Sequence, residues 1–263
     1  MKKLFPYLLL PLTIFLVAVF AFQLAPYDPY LQDLSLALRP PDAAHLLGTD
    51  RYGRDVLSRV IVGSQTTLLA SLALLAVIVG TGSALGVAAG WLGGKVDIVL
   101  MRLADFFLAF PQMVFAVAVA GVLGGGILNA AMAIAVVAWP KYARLTRGLV
   151  LTVKHQPYIE AAELSGAGEG WIICRHILPN IAPMIVVTGM LDLGMVIMEL
   201  AGLSFLGLGA MPPLAEWGAM MNNGRSMLQS APWVILSPGA AIFLTVAGCN
   251  LLGDRLRDVL TPK

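Results

Sequence analysis

Six stretches of this chain are apolar over lengths close to the ~20 residues that a helix needs to cross a bilayer: residues 5–24, 67–91, 107–123, 127–150, 182–208 and 233–252. In lipid no water satisfies the backbone N–H and C=O groups, so such runs fold as helices that bond within themselves. This pattern predicts an all-α membrane protein of about six transmembrane helices. Composition agrees with it. Hydrophobic residues make up 59% of the chain and charged ones 12%, against the roughly 25% charge of a soluble domain, and mean hydropathy is +0.84. So little charge cannot clothe a water-exposed surface. The net charge of +2 leaves no electrostatic footprint for nucleic acid. Cys174 and Cys249 are far apart, with no CxxC or Cys/His companion. They read as reduced thiols and imply neither a disulfide nor a metal site.

Lys2 and Lys3 ahead of the first run, with Ala21 and Ala25 after it, imitate a secretory signal peptide. The run is longer than a usual signal core and five more follow, which favours an uncleaved first membrane helix. Gly124, Gly125 and Gly126 suit a tight turn between the third and fourth runs. In the second run Gly82, Gly86 and Gly90 recur every four residues on one face, a spacing that lets helix backbones approach closely in lipid. They suit ordinary helix packing or contact with a second subunit. With no internal repeat and no linker, residues 1–263 are expected to form a single transmembrane domain.

Orientation follows from the basic residues. An inside amino terminus puts Lys2, Lys3, Lys95, Arg102, Lys141, Arg144, Arg147, Lys154, Arg175, Arg255, Arg257 and Lys263 in the cytoplasm. It puts Arg39, Arg51, Arg54, Arg59 and Arg225 outside. Twelve against five predicts both termini in the cytoplasm.

Between the fourth and fifth runs lies a cytoplasmic connection of about 152–181, reading YIEAAELSGAGEGWIICRHILPNIAP. Strong helix formers fill 160–164, Gly166 and Gly168 break the helix, and 171–177 can form a second one. Pro179 and Pro183 are expected to mark the return to the membrane. Small Ala161 and Ala162 beside the Glu160 carboxylate suit docking into a groove on another protein.

Here the residues resemble a known family. Glu160, Ala161, Ala162 and Gly166, followed by a helix ending Ile177, Leu178, Pro179, are similar to the EAA loop of ABC importer permeases. The resemblance implies a type I ABC importer permease fold in which this loop is the coupling helix, seated in a cleft of a cytoplasmic ATPase. Those four residues would then be the ATPase-contacting positions. His176 stands where the family consensus has isoleucine, and the RHILPN form resembles the branch that imports peptides and nickel. LGTDRYGRDVLSRVIVG at residues 47–63, AGLSFLGLGAMPPLAEWGAMMNNGR at 201–225 and NLLGDRLRDVLTPK at 250–263 resemble blocks of the C-type subunits of dipeptide, oligopeptide and nickel importers. Sequence leaves open whether 47–63 lies on the membrane surface or continues into the second helix.

Ionisable groups inside membrane helices are costly and by default mark function. Asp192, Met195 and Glu199 in the fifth run are spaced three and four apart and share a face, a candidate lane for a cation or a peptide amine. The two carboxylates are otherwise expected to pair with a partner subunit or lie near an interface. His45, His155 and His176 are scattered and offer no paired ligand spacing. No Ser/His/Asp, Cys/His or HExxH arrangement is present, so no catalytic or metal residue is assigned and an enzyme is not expected. A stand-alone channel or secondary carrier would not need the docking loop. The GxxxxGK[ST] phosphate loop is absent, so ATP and magnesium would sit on partner subunits and this chain would bind no cofactor directly. The resemblance implies a multi-pass subunit of the bacterial cytoplasmic (inner) membrane. Its partners would be a second homologous permease, two cytoplasmic ATPases and an extracytoplasmic substrate-binding protein, working by ATP-driven alternating access. MRLADFFLAFP (101–111) and LSGAG (164–168) are closer to nickel-importer C subunits. They imply nickel as cargo, free or held by a metallophore, with dipeptides or oligopeptides as the alternative.

Overall fold

The computed structural model describes residues 5–260. Lys2, Lys3 and Lys263, counted above toward orientation, lie outside the described residues, as does the end of the 250–263 block. Among the described residues the chain is helical and forms no strand beyond the isolated bridge Thr49–Asp55. In order the helices are α1 (Phe5–Val19), α2 (Ala21–Leu24), α3 (Val56–Leu92), α4 (Gly94–Leu108), α5 (Gln112–Leu123), α6 (Ile127–Lys154), α7 (Pro157–Leu164), α8 (Glu169–Ile172), α9 (Leu178–Phe205), α10 (Trp217–Gly224) and α11 (Trp233–Leu260).

Three spans are long and apolar enough to cross a membrane unaided: Val56–Leu92, Glu169–Phe205 and Trp233–Arg257. The pair α4–α5 passes only jointly, bent by 91°. Among the described residues this measure thus finds three spans, or four with the bent pair, while Tyr7–Val19 is a shorter apolar helix. The first run is divided at Phe20 between α1 and α2. The fourth run, α6, is 28 residues long, but Lys141, Arg144 and Arg147 on successive turns lower its hydropathy.

Other boundaries also moved. The second helix begins at Val56, not at 67, because the Asp55 side chain caps it by accepting from the Ser58 N–H. The second half of the 47–63 block thus continues into the helix, while its first half is loop. The expected third helix, 107–123, is two. Gly93 and Gly94, both at positive φ (64° and 52°), turn the chain out of α3 into α4. Pro111 then caps α5 after the break. Pro179 and Pro183 do not interrupt the return to the membrane. Both lie inside the continuous helix Glu169–Phe205: Pro179 directly follows the π-turn Ile173–Ile177, and Pro183 lies within α9.

The centre of the molecule is the α3–α6 pair. A Cβ on Gly82 would stand 2.6 Å from the Trp139 carbonyl oxygen, one on Gly86 2.5 Å from that of Ala143, and one on Gly90 2.8 Å from the Val150 Cβ. The glycine face thus serves packing within the chain. Around this seam Leu74, Ile78, Ile134 and Tyr142 bury together, continuous with Ile159, Ile172 and Ile177 beneath the 155–168 turn.

At the opposite end the loop between α2 and α3 folds over a buried polar knot. Arg54 donates through Nε to Asp50 Oδ2 at 2.7 Å, and Arg59 donates through a terminal nitrogen to the Pro29 carbonyl at 2.8 Å. Asp55 accepts from the Ser58 hydroxyl at 2.7 Å and faces His45 Nδ1 at 2.9 Å. Glu216, fully buried, caps α10 by accepting from Gly218 N and Ala219 N, and Thr67 of α3 donates to it. Burial pushes the Glu216 carboxyl above its ordinary range, against the pull of these donors.

Candidate coupling surface and polar track

The connection between α6 and α9 is a closed helical turn. Pro157 starts α7 in the position that proline prefers. At its end Ala167 N–H bonds the Ala162 carbonyl at 3.1 Å and Gly166 N–H bonds that of Glu163 at 2.9 Å. This paired 6→1 and 5→2 arrangement is a Schellman ending. It requires a left-handed residue, and Gly166 supplies it at φ 81°. Ile159 and Ile172 are buried in the core, and Ala162 and Ala167 pack against it. Glu160 and Ala161 face outward, as does Leu164, 90% exposed. Of the four residues singled out, two are therefore surface groups, Ala162 leans inward, and Gly166 has a conformational reason to be glycine. His176 lies between aromatic rings, 5.0 Å from Trp171 and 6.0 Å from Tyr158 by centroid.

The proposed lane on α9 has partners within the chain. Lys141 Nζ donates to Asp192 Oδ1 at 2.7 Å and the Tyr142 hydroxyl donates to Oδ2 at 2.8 Å. Gln112, the first residue of α5 after the α4–α5 break, donates to both oxygens of Glu199 at 2.8 and 3.0 Å. Met195 is exposed. Two further ion pairs continue from Lys141 along α6: Arg144 with Asp105 and Arg147 with Asp97, both carboxylates on α4. They flank an open cleft that Arg102 also lines. From sequence Lys141, Arg144 and Arg147 serve as orientation signals, and a partner for Asp192 and Glu199 is expected on another subunit; the structure supplies one within the chain for each. The basic residues' spacing of three along α6 was the available sign of a polar helix face.

The track is close to electroneutral. Lys141, Arg144, Arg147 and Arg102 balance Asp192, Asp105, Asp97 and Glu199. Chemically it can hydrate and exchange hydrogen bonds with a polar solute. It has no surplus of anionic ligands to strip water from a bare metal ion.

Against this geometry, a family model described as "Binding-protein-dependent transport system inner membrane component" matches residues 82–263. The chain belongs to that family. Among its relatives is the probable D,D-dipeptide transport system permease protein DdpC of Escherichia coli K12, 46% identical over 248 residues, or 94% of this chain and 83% of that protein. The glutathione transport system permease protein GsiD of Pectobacterium atrosepticum is 44% identical over 249 residues, 94% of this chain and 82% of that protein. The nickel transport system permease protein NikC of E. coli K12 is 41% identical over 237 residues, 90% of this chain and 86% of that protein. In fold, the chain is similar to an inward-facing structure of the MetNI methionine ABC transporter, with a TM-score of 0.56 and 20% identity over 74% of this chain and 95% of that one. This permease therefore has the type I ABC importer fold, is a multi-pass component of the inner membrane, and is a transport subunit and not an enzyme. Its relatives divide among peptide, glutathione and nickel transport systems.

Proposed function

We propose that residues 1–263 form one transmembrane permease domain with both termini in the cytoplasm, paired with a second, homologous permease. Two cytoplasmic ATPases, carrying ATP and magnesium, would engage α7 and the turn after it, within the loop 152–181. A substrate-binding protein would deliver cargo at the opposite end. The observation that carries this reading is the closed α7 turn, which holds Glu160 and Ala161 outward while Ile159 and Ile172 root it in the core. Ala161→Glu puts a bulky charge on that surface without touching the core. It is expected to abolish co-purification of the ATPases while the permease still accumulates in the membrane. Undiminished co-purification overturns the coupling assignment.

Asp192, Met195 and Glu199, with Lys141 and Gln112, are proposed to line the translocation pathway. The cargo that suits a near-neutral, ion-paired track is a small solute carrying charges of both signs, and we favour a short peptide. The D,D-dipeptide and glutathione relatives support that choice. Nickel enclosed in a metallophore is the second reading, supported by the 101–111 resemblance and the nickel relative. Free nickel is the weakest, because the balanced charges offer no net attraction to a dication. Uptake by cells with and without this chain separates them, using radiolabelled dipeptide, free radioactive nickel and nickel plus a chelator. Loss of free-nickel uptake alone overturns the preference for a peptide.

A further inference from the structure

The segment 157–168 directly precedes α9, so the direct mechanical route from it into the membrane would be along α9. The structure offers another. Trp91 stands at the end of α3, almost buried, at 7% exposure. Its indole Nε1 donates to Glu169 Oε2 at 3.3 Å, and Glu169 is the first residue of α8. The Trp91 backbone carbonyl, one of the last-turn groups that a helix leaves without an N–H partner, accepts from Lys154 Nζ at 2.6 Å. The same ammonium sits 5.1 Å from the centroid of the Trp91 ring, and Lys154 is the last residue of α6. One tryptophan thus gathers the ends of three elements that are remote in sequence. Glu169 and Lys154 also complement the dipoles of their own helices, an acid in a first turn and a base in a last turn.

The direct route is softened a few residues later. Ile173–Ile177 is a π-turn, with Leu178 N–H bonding the Ile173 carbonyl. Such a turn inserts a residue into the helical ladder and is a place where a helix axis can shift. Glu169 is exposed, so its bond to the indole can exchange with water at small cost. That suits a contact which must be remade in two arrangements.

We propose that Trp91 is the joint through which movement of α7–α8 reaches α3 and α6, with Glu169 and Lys154 as its two holds and the π-turn uncoupling α9. The three are positioning residues. The inference rests on the reading of α7 as the ATPase-docking helix. It is tested in the complete transporter reconstituted in proteoliposomes, with ATP hydrolysis and uptake of radiolabelled dipeptide or chelated radioactive nickel, whichever the wild type carries, measured on the same preparation. Trp91→Phe keeps the ring but loses the N–H donor, and Glu169→Ala removes the acceptor. Each is expected to lower cargo moved per ATP by at least about threefold, within the range seen for residues that carry coupling between sites, while ATPase association and hydrolysis persist. The double variant should be no worse than either single one, and Glu169→Gln, which keeps an acceptor oxygen, should recover most of the loss. Unchanged cargo per ATP in Trp91→Phe and Glu169→Ala overturns the joint, as does a parallel loss of hydrolysis and transport with a lowered melting temperature, the mark of a merely structural role. If Ala161→Glu still binds the ATPases, the docking reading itself has failed. If that variant loses them while Trp91→Phe stays coupled, only the joint has failed.

Discussion

The two charged regions of this permease are built on opposite principles. In the knot between α2 and α3, Asp50, Asp55, Arg54 and Arg59 are buried and interlinked: Asp50 faces both arginines, Arg59 also reaches the Pro29 carbonyl, and Asp55 meets Ser58 and His45. Along α6, the Arg144–Asp105 pair is half exposed and Lys141–Asp192 is open on its lysine side, and each basic group is held by a single carboxylate. Charges taken out of water are kept only in good geometry, and stranding one costs several kcal/mol. Exposed pairs are worth little and can exchange with water. The knot is therefore a fixed cap, whereas the ladder is a set of contacts that can open as helices rock, which suits a transport path.

That contrast can be broken by substitution. The largest effect is expected from Asp50→Ala, which strands the buried Arg54 guanidinium at a cost of about 3–5 kcal/mol. The detergent-solubilised permease should melt far below the wild type or fail to accumulate, and a wild-type melting temperature would show that the cap is not rigid. Gly86→Leu comes next. With the Ala143 carbonyl 2.5 Å from the new Cβ, α3 and α6 must separate, for about 1–3 kcal/mol or more of overpacking, read on the same melting assay. Gly166→Ala forces a left-handed alanine at a cost of roughly 1–2 kcal/mol. Because the turn is a surface feature, ATPase association should weaken while the melting temperature barely moves. The smallest change in stability belongs to Lys141→Met, under about 1 kcal/mol, yet this variant should slow uptake because Asp192 loses its cation. Stability loss comparable to that of Asp50→Ala would erase the distinction between ladder and knot. Asp192→Ala with Glu199→Ala sharpens it from the other side, reducing uptake with assembly intact; unchanged uptake removes both residues from the pathway.

Much of this architecture was legible because lipid is an unforgiving solvent. The run at 233–252 falls within α11 and that at 182–208 follows α9 to its end at Phe205, and the glycines at 82, 86 and 90 meet a helix as their spacing demands. The helix of 160–164 and its glycine stop appear where helix formers and Gly166 require them. The failures have equally local causes. Lys95, Asp97, Arg102 and Asp105 keep most of α4 out of any count of long apolar runs, and its amphipathic periodicity is the sequence signal that such a count passes over. Pro179 and Pro183 suggest a boundary from sequence, but the helix runs through both, with the π-turn Ile173–Ile177 just before Pro179.

Sequence alone determined that the chain lives in a membrane, that its backbone is helical there, and which short loop resembles an ATPase-docking segment. These follow from hydropathy, length and local turn chemistry, which act between near neighbours. Only the tertiary structure decided where the charges go. Lys141 meets Asp192 across 51 positions, Trp91 meets Glu169 across 78, and Gln112 meets Glu199 across 87. Pairings at such separations are set by how helices pack, and the need of a buried or half-buried charge for a partner does not name which partner it will be.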